Sequence, residues 1–468
     1  MKLYNTLTKQ EDEITPLNPP VVTVYTCGPT VYDYSHVGHL FNYVRMDMLI
    51  RVLKAGGYKT KWVMNITDVG HLVSDADEGE DKLEKGAKRE GKSAWEIAEF
   101  YTQDFFEGMK LLNNLKPDHI VKATDHIKDQ IRLIKILEEK GFTYIIDDGV
   151  YYDTSLFPKY GQFANLDLDE QQAGARVEVN PQKRQPYDFA LWKFSPKDSH
   201  RDMEWGSPWG KGFPGWHIEC SAMSMKYLGD TLDIHTGGID HIPIHHTNEI
   251  AQSEAATGKP LANYWLHSNH VLIDGKKISK SLGNSIRLQE VIERGYEPEV
   301  LRLHILESHY RNQSRFSWDS LEAAKHRLDD LRAMAALRYQ VQETVHDAAT
   351  FSLEDVPDEL KNILQNDLNT PEALAFLSHV NTQLLLVLIE DDMLDHFVLM
   401  LEGIDWLLGL NLSKVKDISS RQKNLIMERE AARKNNDWGR ADSLRNELEN
   451  QKVGIRDTDN GPIWFPLS

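Results

Sequence analysis

Cysteine is scarce in this chain, with two residues in a sequence of 468. Two cysteines cannot build a disulfide framework, and free thiols are most simply kept in a reducing compartment. No apolar run is long enough to cross a membrane, the longest being Leu384–Ile389, and the N-terminal MKLYNTLTKQEDE lacks the apolar core of a signal peptide. We therefore expect a cytoplasmic protein with no membrane partner, in which each cysteine has a specific use.

An excess of positive charge is also missing, because the formal net charge is -19 at pH 7. Such a surface does not bind nucleic acid indiscriminately, although net charge does not exclude a local basic patch. The hydrophobic share of 41% and the charged share of 27% are ordinary for a globular protein. At this length we expect about three domains with large cores.

The N-terminal part of the chain has the pattern of a strand, a glycine turn, a helix and a second strand. Val21–Thr26 is short and rich in β-branched residues, which predicts a buried strand. TCGPTVYDYSHVGH begins at the end of this strand, and apolar residues then recur at helical spacing from Leu40 to Gly56. Lys61–Ile66 is predicted as the next strand. This order predicts an α/β fold with a doubly wound, Rossmann-like parallel sheet, which binds ligands at the carboxyl ends of its strands.

Two short motifs offer donors or positive charge to phosphate. His36 and His39 stand at the start of the predicted helix, whose N-terminus has unpaired N–H groups. The glycine-bounded loop DGKKISKSLGN carries Lys277 and Lys280, which can neutralise charge developing on a pyrophosphate. Taken alone, each motif is more often a polar helix cap or a solvated surface loop than a binding site.

The two cysteines combine with a histidine and a glutamate as candidate metal ligands. Cys27 follows the first predicted strand, and Cys220 lies in the motif PGWHIEC. His245 and Glu249 are four residues apart on a predicted helix and share one face. Two thiolates, one imidazole and one carboxylate suit tetrahedral zinc. His246 is an alternative ligand, and an ordinary polar pair on a solvated helix face is the alternative without a metal.

HVGH, together with KISKS, resembles the paired HIGH and KMSKS signatures of class I aminoacyl-tRNA synthetases. The motifs LYNTLT, TCGPTVYD, NITD, AGARVEV, PGWHIECSAM, HHTNEIAQS, SKSLGN, NTPEA and AARKNNDWGRAD make the whole chain similar to the cysteinyl-tRNA synthetase family. The resemblance implies a ligase of protein biosynthesis that activates L-cysteine with ATP and Mg²⁺. It would transfer the cysteinyl group to the 3′ end of tRNA(Cys). It would also hold one Zn²⁺ that binds the substrate thiol, and we expect a monomer.

The resemblance implies a role for each candidate residue. The implied zinc ligands are Cys27, Cys220, His245 and Glu249, and the implied catalytic residues are His36, His39, Lys277 and Lys280. ATP would be held by Gly28, His36, His39, Gly237, Gly238, Asp240 and Lys280. The amino-acid pocket would be lined by Cys27, Thr67 and Trp216, and the anticodon would be read by Trp438 and Asp442.

The resemblance also implies an order of domains: a Rossmann-like catalytic domain with an inserted connective domain, then an α-helical bundle and a small C-terminal domain. Their predicted bounds are 1–122 for the first catalytic half with HVGH, 123–210 for the connective insertion, 211–266 for the second catalytic half, 267–318 for the KISKS loop and stem-contact region, 319–412 for the tRNA-binding helical bundle and 413–468 for the anticodon-binding domain. Within the insertion, Tyr144–Tyr152 alternates like a strand, and Arg421–Asn450 is predicted as one charged amphipathic segment.

The chain departs from the usual family pattern in three places. HHTNE replaces HHENE and so lacks a carboxylate beside the presumed ligands, TGGID replaces GGGSD, and Val69–Leu72 follows NITD in place of acidic residues and a lysine pair. Two other functions stay open: an ATP-dependent ligase that joins cysteine to a small amine, and a tRNA-binding paralogue without catalysis. The motif around Trp438 disfavours the first, and the complete set of candidate catalytic and metal residues disfavours the second.

Overall fold

The computed structural model describes residues 1–70, 82–166, 180–196, 201–279, 282–340, 352–386, 393–458 and 461–467. The chain divides into two units. The first comprises Met1–Met46, Gly57–Lys110 and Leu115–His270, and the second comprises Asp47–Gly56, Leu111–Asn114 and Val271–Ser468. Among the described helices, none combines the length and the apolar character needed to span a membrane.

The first unit contains three sheets, one of them two-stranded, with helices between their strands. Its strands are β1 (Lys2–Asn5), β2 (Gln10–Glu13), β3 (Val21–Thr26), β4 (Lys59–Ile66), β5 (His119–Lys122), β6 (Thr143–Ile146), β7 (Gly149–Tyr152), β8 (Phe189–Phe194), β9 (Trp205–Ser207), β10 (Gly210–Pro214), β11 (Leu232–Gly238) and β12 (Ala262–Ser268). Its helices are α1 (Val37–Ala55), α2 (Lys82–Glu90), α3 (Ala94–Leu111), α4 (Ile127–Glu139), α5 (Trp216–Leu228) and α6 (Thr247–Thr257). The C-terminal part of α1 and the last residue of α3 belong to the second unit.

The central sheet has the strand order β12–β11–β3–β4–β5, and all of its strand pairs are parallel. The predicted strand Val21–Thr26 is confirmed with the same bounds, and the predicted strand Lys61–Ile66 begins two residues earlier, at Lys59. Since β11 lies on one side of β3 and β4 on the other, the chain leaves β3 in one direction and later returns on the opposite side. This reversal creates a crevice at the carboxyl ends of β3 and β11, where doubly wound folds bind their ligands.

The second sheet is antiparallel and has the order β6–β7–β8–β10–β9. The prediction of one strand over Tyr144–Tyr152 is wrong, because residues 143–146 and 149–152 form the hairpin β6–β7. Asp147 and Asp148 make the turn between them. The alternation of side chains continues through this two-residue turn, so periodicity alone does not reveal the reversal.

The second unit is mainly helical. Its strands are β13 (Val271–Ile273), β14 (Lys276–Lys277), β15 (Ser314–Phe316), β16 (Val453–Thr458) and β17 (Gly461–Pro466). Its helices are α7 (Leu288–Glu293), α8 (Pro298–Leu306), α9 (Trp318–Ala336), α10 (Asp355–Leu364), α11 (Thr370–Leu386), α12 (Leu394–Leu408), α13 (Ser420–Lys434) and α14 (Trp438–Asn450). Within the described residues, the chain from Trp318 to Asn450 is thus mainly helical, and after Asn450 β16 and β17 form an antiparallel hairpin.

The core of the second unit contains a buried arginine. The Arg302 guanidinium on α8 is fully buried and pairs with the Asp47 carboxylate at 2.5 Å. Its Nε donates to the Leu408 carbonyl at 2.6 Å, and its Nη1 donates to the Leu112 carbonyl at 2.8 Å. Burial lowers the pKa of Arg302, although Asp47 opposes that shift. The arginine therefore satisfies backbone carbonyls from two separate segments, and the Asp47 carboxylate from a third segment compensates its charge.

The charged amphipathic segment predicted over Arg421–Asn450 consists of two helices, α13 and α14. Asn436 between them has φ of 58°, a left-handed conformation that asparagine tolerates better than most residues. The Asp437 side chain then accepts from the Arg440 N–H and caps α14. This break places Trp438 at the first position of α14.

Removing the N-cap of α13 should destabilise that helix locally. The Ser419 side chain accepts from the Gln422 N–H, and Gln422 reciprocates towards the Ser419 N–H. We expect Ser419→Ala to reduce the local opening free energy of α13 by about 1 kcal/mol. Hydrogen exchange of the α13 amides measures this, with Ser420→Ala, one residue inside the helix, as the matched control. Equal exchange in the two variants would contradict the capping role.

Candidate active site

Four side chains meet at the carboxyl ends of β3 and β11. Cys27 follows β3, Cys220 lies on α5, His245 precedes α6, and Glu249 lies within α6. One candidate ligand atom from each lies within 4.8 Å of the others, and all four residues are buried. The structure therefore brings together the set that the sequence groups as metal ligands.

A short segment between β11 and α6 sets the direction of His245. Ile242–His246 forms a π-helical turn with a proline in its first positions, and the regular α-helix begins only at Thr247. The turn leaves His245 Nε2 at 3.2 Å from Glu249 Oε1. The helix then ends at Gly258, whose φ of +74° supplies the left-handed C-terminal cap.

A second donor set shares two residues with the first. Cys27, His235, His246 and Glu249 are also buried within 4.8 Å of one another. His246 Nε2 lies 3.4 Å from Cys27 Sγ, and His235 Nε2 lies 2.9 Å from Glu249 Oε2. His246, the alternative ligand that the sequence analysis leaves open, therefore also lies at this cluster.

The cluster favours charged ligand groups in spite of its burial. The hydrogen bond with Cys27 lowers the pKa of Cys220 to about 7, although burial opposes this. Burial raises the pKa of Glu249, but the neighbouring His235 and His245 outweigh it and hold that pKa well below its usual range. Burial lowers the pKa of His245, yet hydrogen bonds with Cys220 and Glu249 raise it to about 10. Cys27 differs, because burial raises the pKa of its thiol well above the ordinary value. A cation in this cluster would add to the charge compensation that His235 and His245 give Glu249.

The expected amino-acid pocket adjoins this cluster. Trp216 is the first residue of α5, and its ring centroid lies 4.9 Å from that of His245. Thr67 follows β4 and is buried, and the Asn65 side-chain amide donates to Thr67 Oγ1 at 3.1 Å. Asn65 Oδ1 in turn accepts from the Gly28 N–H at 2.8 Å. A Cβ at Gly28 would lie 1.6 Å from the Asn65 carbonyl oxygen, so only glycine fits there.

The expected nucleotide residues lie on the turns that follow the same two strands. His36 immediately precedes α1, and its ring stacks on that of His39 with centroids 3.8 Å apart. Gly237 and Gly238 end β11, and a Cβ on Gly238 would lie 2.3 Å from Asp240 Oδ1. A Cβ on Gly237 would lie 2.7 Å from the His246 ring. Both positions therefore require glycine, because neighbouring side chains of this chain occupy the space that a Cβ would need.

The remaining candidate residues belong to the second unit. Lys277 ends β14 and is exposed, whereas Lys280 falls outside the described residues. Trp438 is 56% exposed, with the Arg433 guanidinium 6.0 Å from its ring centroid, and Asp442 is also exposed. An exposed tryptophan beside a cation is available for stacking with a ligand.

Comparison with known proteins shows the family. The model of the tRNA synthetases class I (C) catalytic domain matches residues 13–326, and that of the cysteinyl-tRNA ligase anticodon binding domain matches residues 415–464. The cysteine–tRNA ligase of Treponema denticola is 42% identical over 497 residues and covers 100% of both chains. Cysteine–tRNA ligase 1 of Burkholderia lata is 45% identical over 474 residues, covering 100% of this chain and 97% of that protein. The chain belongs to the cysteine–tRNA ligase family.

The cysteine–tRNA ligase family is part of the class I aminoacyl-tRNA synthetases, so the class expected from HVGH and KISKS is confirmed. Methionyl-tRNA synthetase of Mycobacterium tuberculosis, in complex with methionyl-adenylate, aligns with a TM-score of 0.58 at 14% identity. The alignment covers 84% of this chain and 92% of that chain. This likeness confirms the Rossmann-like fold.

Two histidines that the sequence reasoning did not select contact the presumed ligands of this family member. The Nδ1 atoms of His217 and His245 lie 2.9 Å apart and share a hydrogen bond. The His235 ring is hydrogen-bonded to the Glu249 carboxylate. Such partners orient metal ligands and fix the imidazole tautomer. The spacing of His217 three residues before Cys220 was an available signal, because it puts both on one face of α5. No comparable pattern marks His235, which is buried on β11.

Proposed function

We propose that the chain joins L-cysteine to tRNA(Cys) in two steps. ATP and cysteine form cysteinyl adenylate with release of pyrophosphate, and the cysteinyl group then passes to the terminal ribose of the tRNA. The observation that carries this proposal is the convergence of Cys27, Cys220, His245 and Glu249 in the strand-end crevice of a chain from this family.

The donor set fits zinc as the metal. Two sulfurs, one imidazole and one carboxylate lie within 4.8 Å of one another, and the lowered pKa values of Cys220 and Glu249 favour their anionic forms. When bound, zinc would take the thiolate of the substrate cysteine. The adjoining Trp216 and Thr67 would enclose the rest of the small amino acid.

Nucleotide binding is assigned to the turns that follow β3 and β11. His36, His39 and the N-terminal N–H groups of α1 would donate to phosphate oxygens. Gly237 and Gly238 would let the nucleotide approach the backbone, and Asp240 would accept from a ribose hydroxyl. Lys277 and Lys280, with Mg²⁺, would neutralise the charge that develops on the leaving pyrophosphate.

Three measurements on the purified chain test this function. Metal analysis should give one zinc per chain, pyrophosphate exchange should depend on cysteine, and tRNA(Cys) should accept cysteine. Exchange without charging would support the small-amine ligase instead, and the absence of both would support a non-catalytic paralogue. Relatives matched over essentially their whole length, including the C-terminal domain, favour the tRNA ligase. The monomeric state and the cytoplasmic location stay predictions from the sequence.

Trp438→Ala should weaken tRNA charging and leave pyrophosphate exchange unchanged. We propose that the exposed Trp438 ring stacks on an anticodon base, a contact worth about 1–3 kcal/mol, while Asp442 binds a base edge. The catalytic efficiency for tRNA should therefore fall about tenfold. Trp438→Phe keeps an aromatic face and is the matched control. Loss of exchange together with charging would instead assign Trp438 a structural role.

A further inference from the structure

Exposed aromatic rings and cations lie together where α2 is followed by α3. Phe100 on α3 is 40% exposed. The Lys92 ammonium lies 4.9 Å from the centroid of the Phe100 ring, and the Tyr34 ring meets Phe100 edge-on at 6.0 Å. Together with Arg89, which lies 3.5 Å from the hydroxyl of the neighbouring Tyr101, these three residues are called the aromatic–basic surface.

The two cations of this surface belong to a basic segment of an acidic chain. Residues 82–92, KLEKGAKREGK, carry five basic and two acidic side chains, in a protein of net charge -19. Arg89 and Lys92 share one carboxylate, Glu90, at 2.9 and 3.4 Å. Glu99, on the adjoining turn of α3, is paired with Lys122 at 2.6 Å. Exposed ion pairs are weak, so a polyanion can compete for both cations.

The aromatic–basic surface is continuous with the turn between β3 and α1. Tyr34 contacts Phe100 and also Tyr101, at 5.0 Å, and stands two residues before His36. The same turn therefore carries one ring of this surface and the histidine assigned to ATP. A ligand on this surface would therefore lie next to the segment to which we assign ATP binding.

We propose that the aromatic–basic surface binds the unpaired nucleotides at the 3′ end of the tRNA. A base would stack on Phe100, and phosphates would lie beside Arg89 and Lys92. Aromatic rings combined with cations are how proteins bind single-stranded nucleic acid with little sequence preference. This inference rests on the proposed charging of tRNA, because only that reaction brings a single-stranded end to the site.

The kinetics of tRNA charging show whether this surface acts on tRNA binding or on cysteine activation. Phe100→Ala and Lys92→Ala should each lower kcat/KM for tRNA about tenfold, while cysteine-dependent pyrophosphate exchange without tRNA stays within about twofold. The matched controls are Ile145→Ala, an apolar side chain 56% exposed, and Lys259→Ala, an exposed lysine paired with Asp230. Both controls should charge tRNA at the wild-type rate. Because Lys92 is exposed, its variant tests the proposal even where loss of Phe100 disturbs α3.

Binding of a shortened tRNA identifies the bound part. The wild-type chain should bind intact tRNA about tenfold more tightly than tRNA without its unpaired 3′ nucleotides, and the variant with both substitutions should bind the two equally. Wild-type charging by both variants would overturn the proposal and assign the surface to a protein partner. An equal loss for both tRNAs would also overturn it. A wild-type chain that neither charges nor binds tRNA would instead refute the proposed function, with this inference.

Discussion

Replacing Cys220 with serine is expected to lower the rate of cysteine activation by more than about a hundredfold. Loss of a residue that only orients a metal ligand usually costs about a hundredfold at most, and loss of a ligand should cost more. The substitution exchanges a soft sulfur ligand, whose pKa of about 7 makes it readily anionic, for an alcohol that stays protonated. Metal should be lost or loosely held. The preference for cysteine over serine should then fall to about a hundredfold, which is what a pocket achieves for near-isosteres by shape.

Metal analysis and pyrophosphate exchange with cysteine and with serine check this result. His245→Ala should behave like Cys220→Ser, because it removes another candidate ligand. Ser224→Ala, on the same helix and also buried, is the matched control and should keep both metal and selectivity. A wild-type protein without metal that nevertheless rejects serine strongly would refute the assignment.

Lys280→Ala is expected to reduce kcat for cysteine activation about 10²- to 10³-fold with little change in KM for cysteine. The reason is that negative charge builds on the leaving pyrophosphate only as the bond breaks, so the lysine acts mainly on the transition state. Initial rates of pyrophosphate exchange over a range of cysteine and ATP concentrations separate the two constants. Lys276→Ala, in the same strand-loop segment and exposed, should be nearly silent. An unchanged kcat in Lys280→Ala would remove this residue from the mechanism.

Strand β3 and part of the metal cluster could be predicted because local patterns determine them. The β-branched run Val21–Thr26 favours a buried strand, and the pair His245 and Glu249 follows from helical spacing. Cys27 and Cys220 are far apart in the chain, and Cys220 lies on α5, so their grouping rested on the ligand chemistry of thiols and on the family resemblance. Where a side chain acts through a tertiary contact, as His235 does on Glu249, neither spacing nor composition carries a signal.

Other differences arise from chain reversals that leave periodicity intact. The hairpin at residues 147–148 reverses the chain within an unbroken alternation, and Asn436 divides an amphipathic segment at a single left-handed residue. Each of these features depends on one or two turn residues, whose preferences are weak compared with those of a whole helix or strand.

The π-helical turn Ile242–His246 limits how this part of the gene can change in length. Substitutions inside the turn do not change the number of residues between the end of β11 and α6. They therefore preserve the directions in which the His245 and Glu249 side chains point. Loss or gain of one residue would rotate both side chains about the helix axis by about 100° relative to the strand ends. Both would then face away from Cys27 and Cys220. Loops on the surface of this protein can accept insertions during evolution or engineering, whereas this five-residue turn cannot.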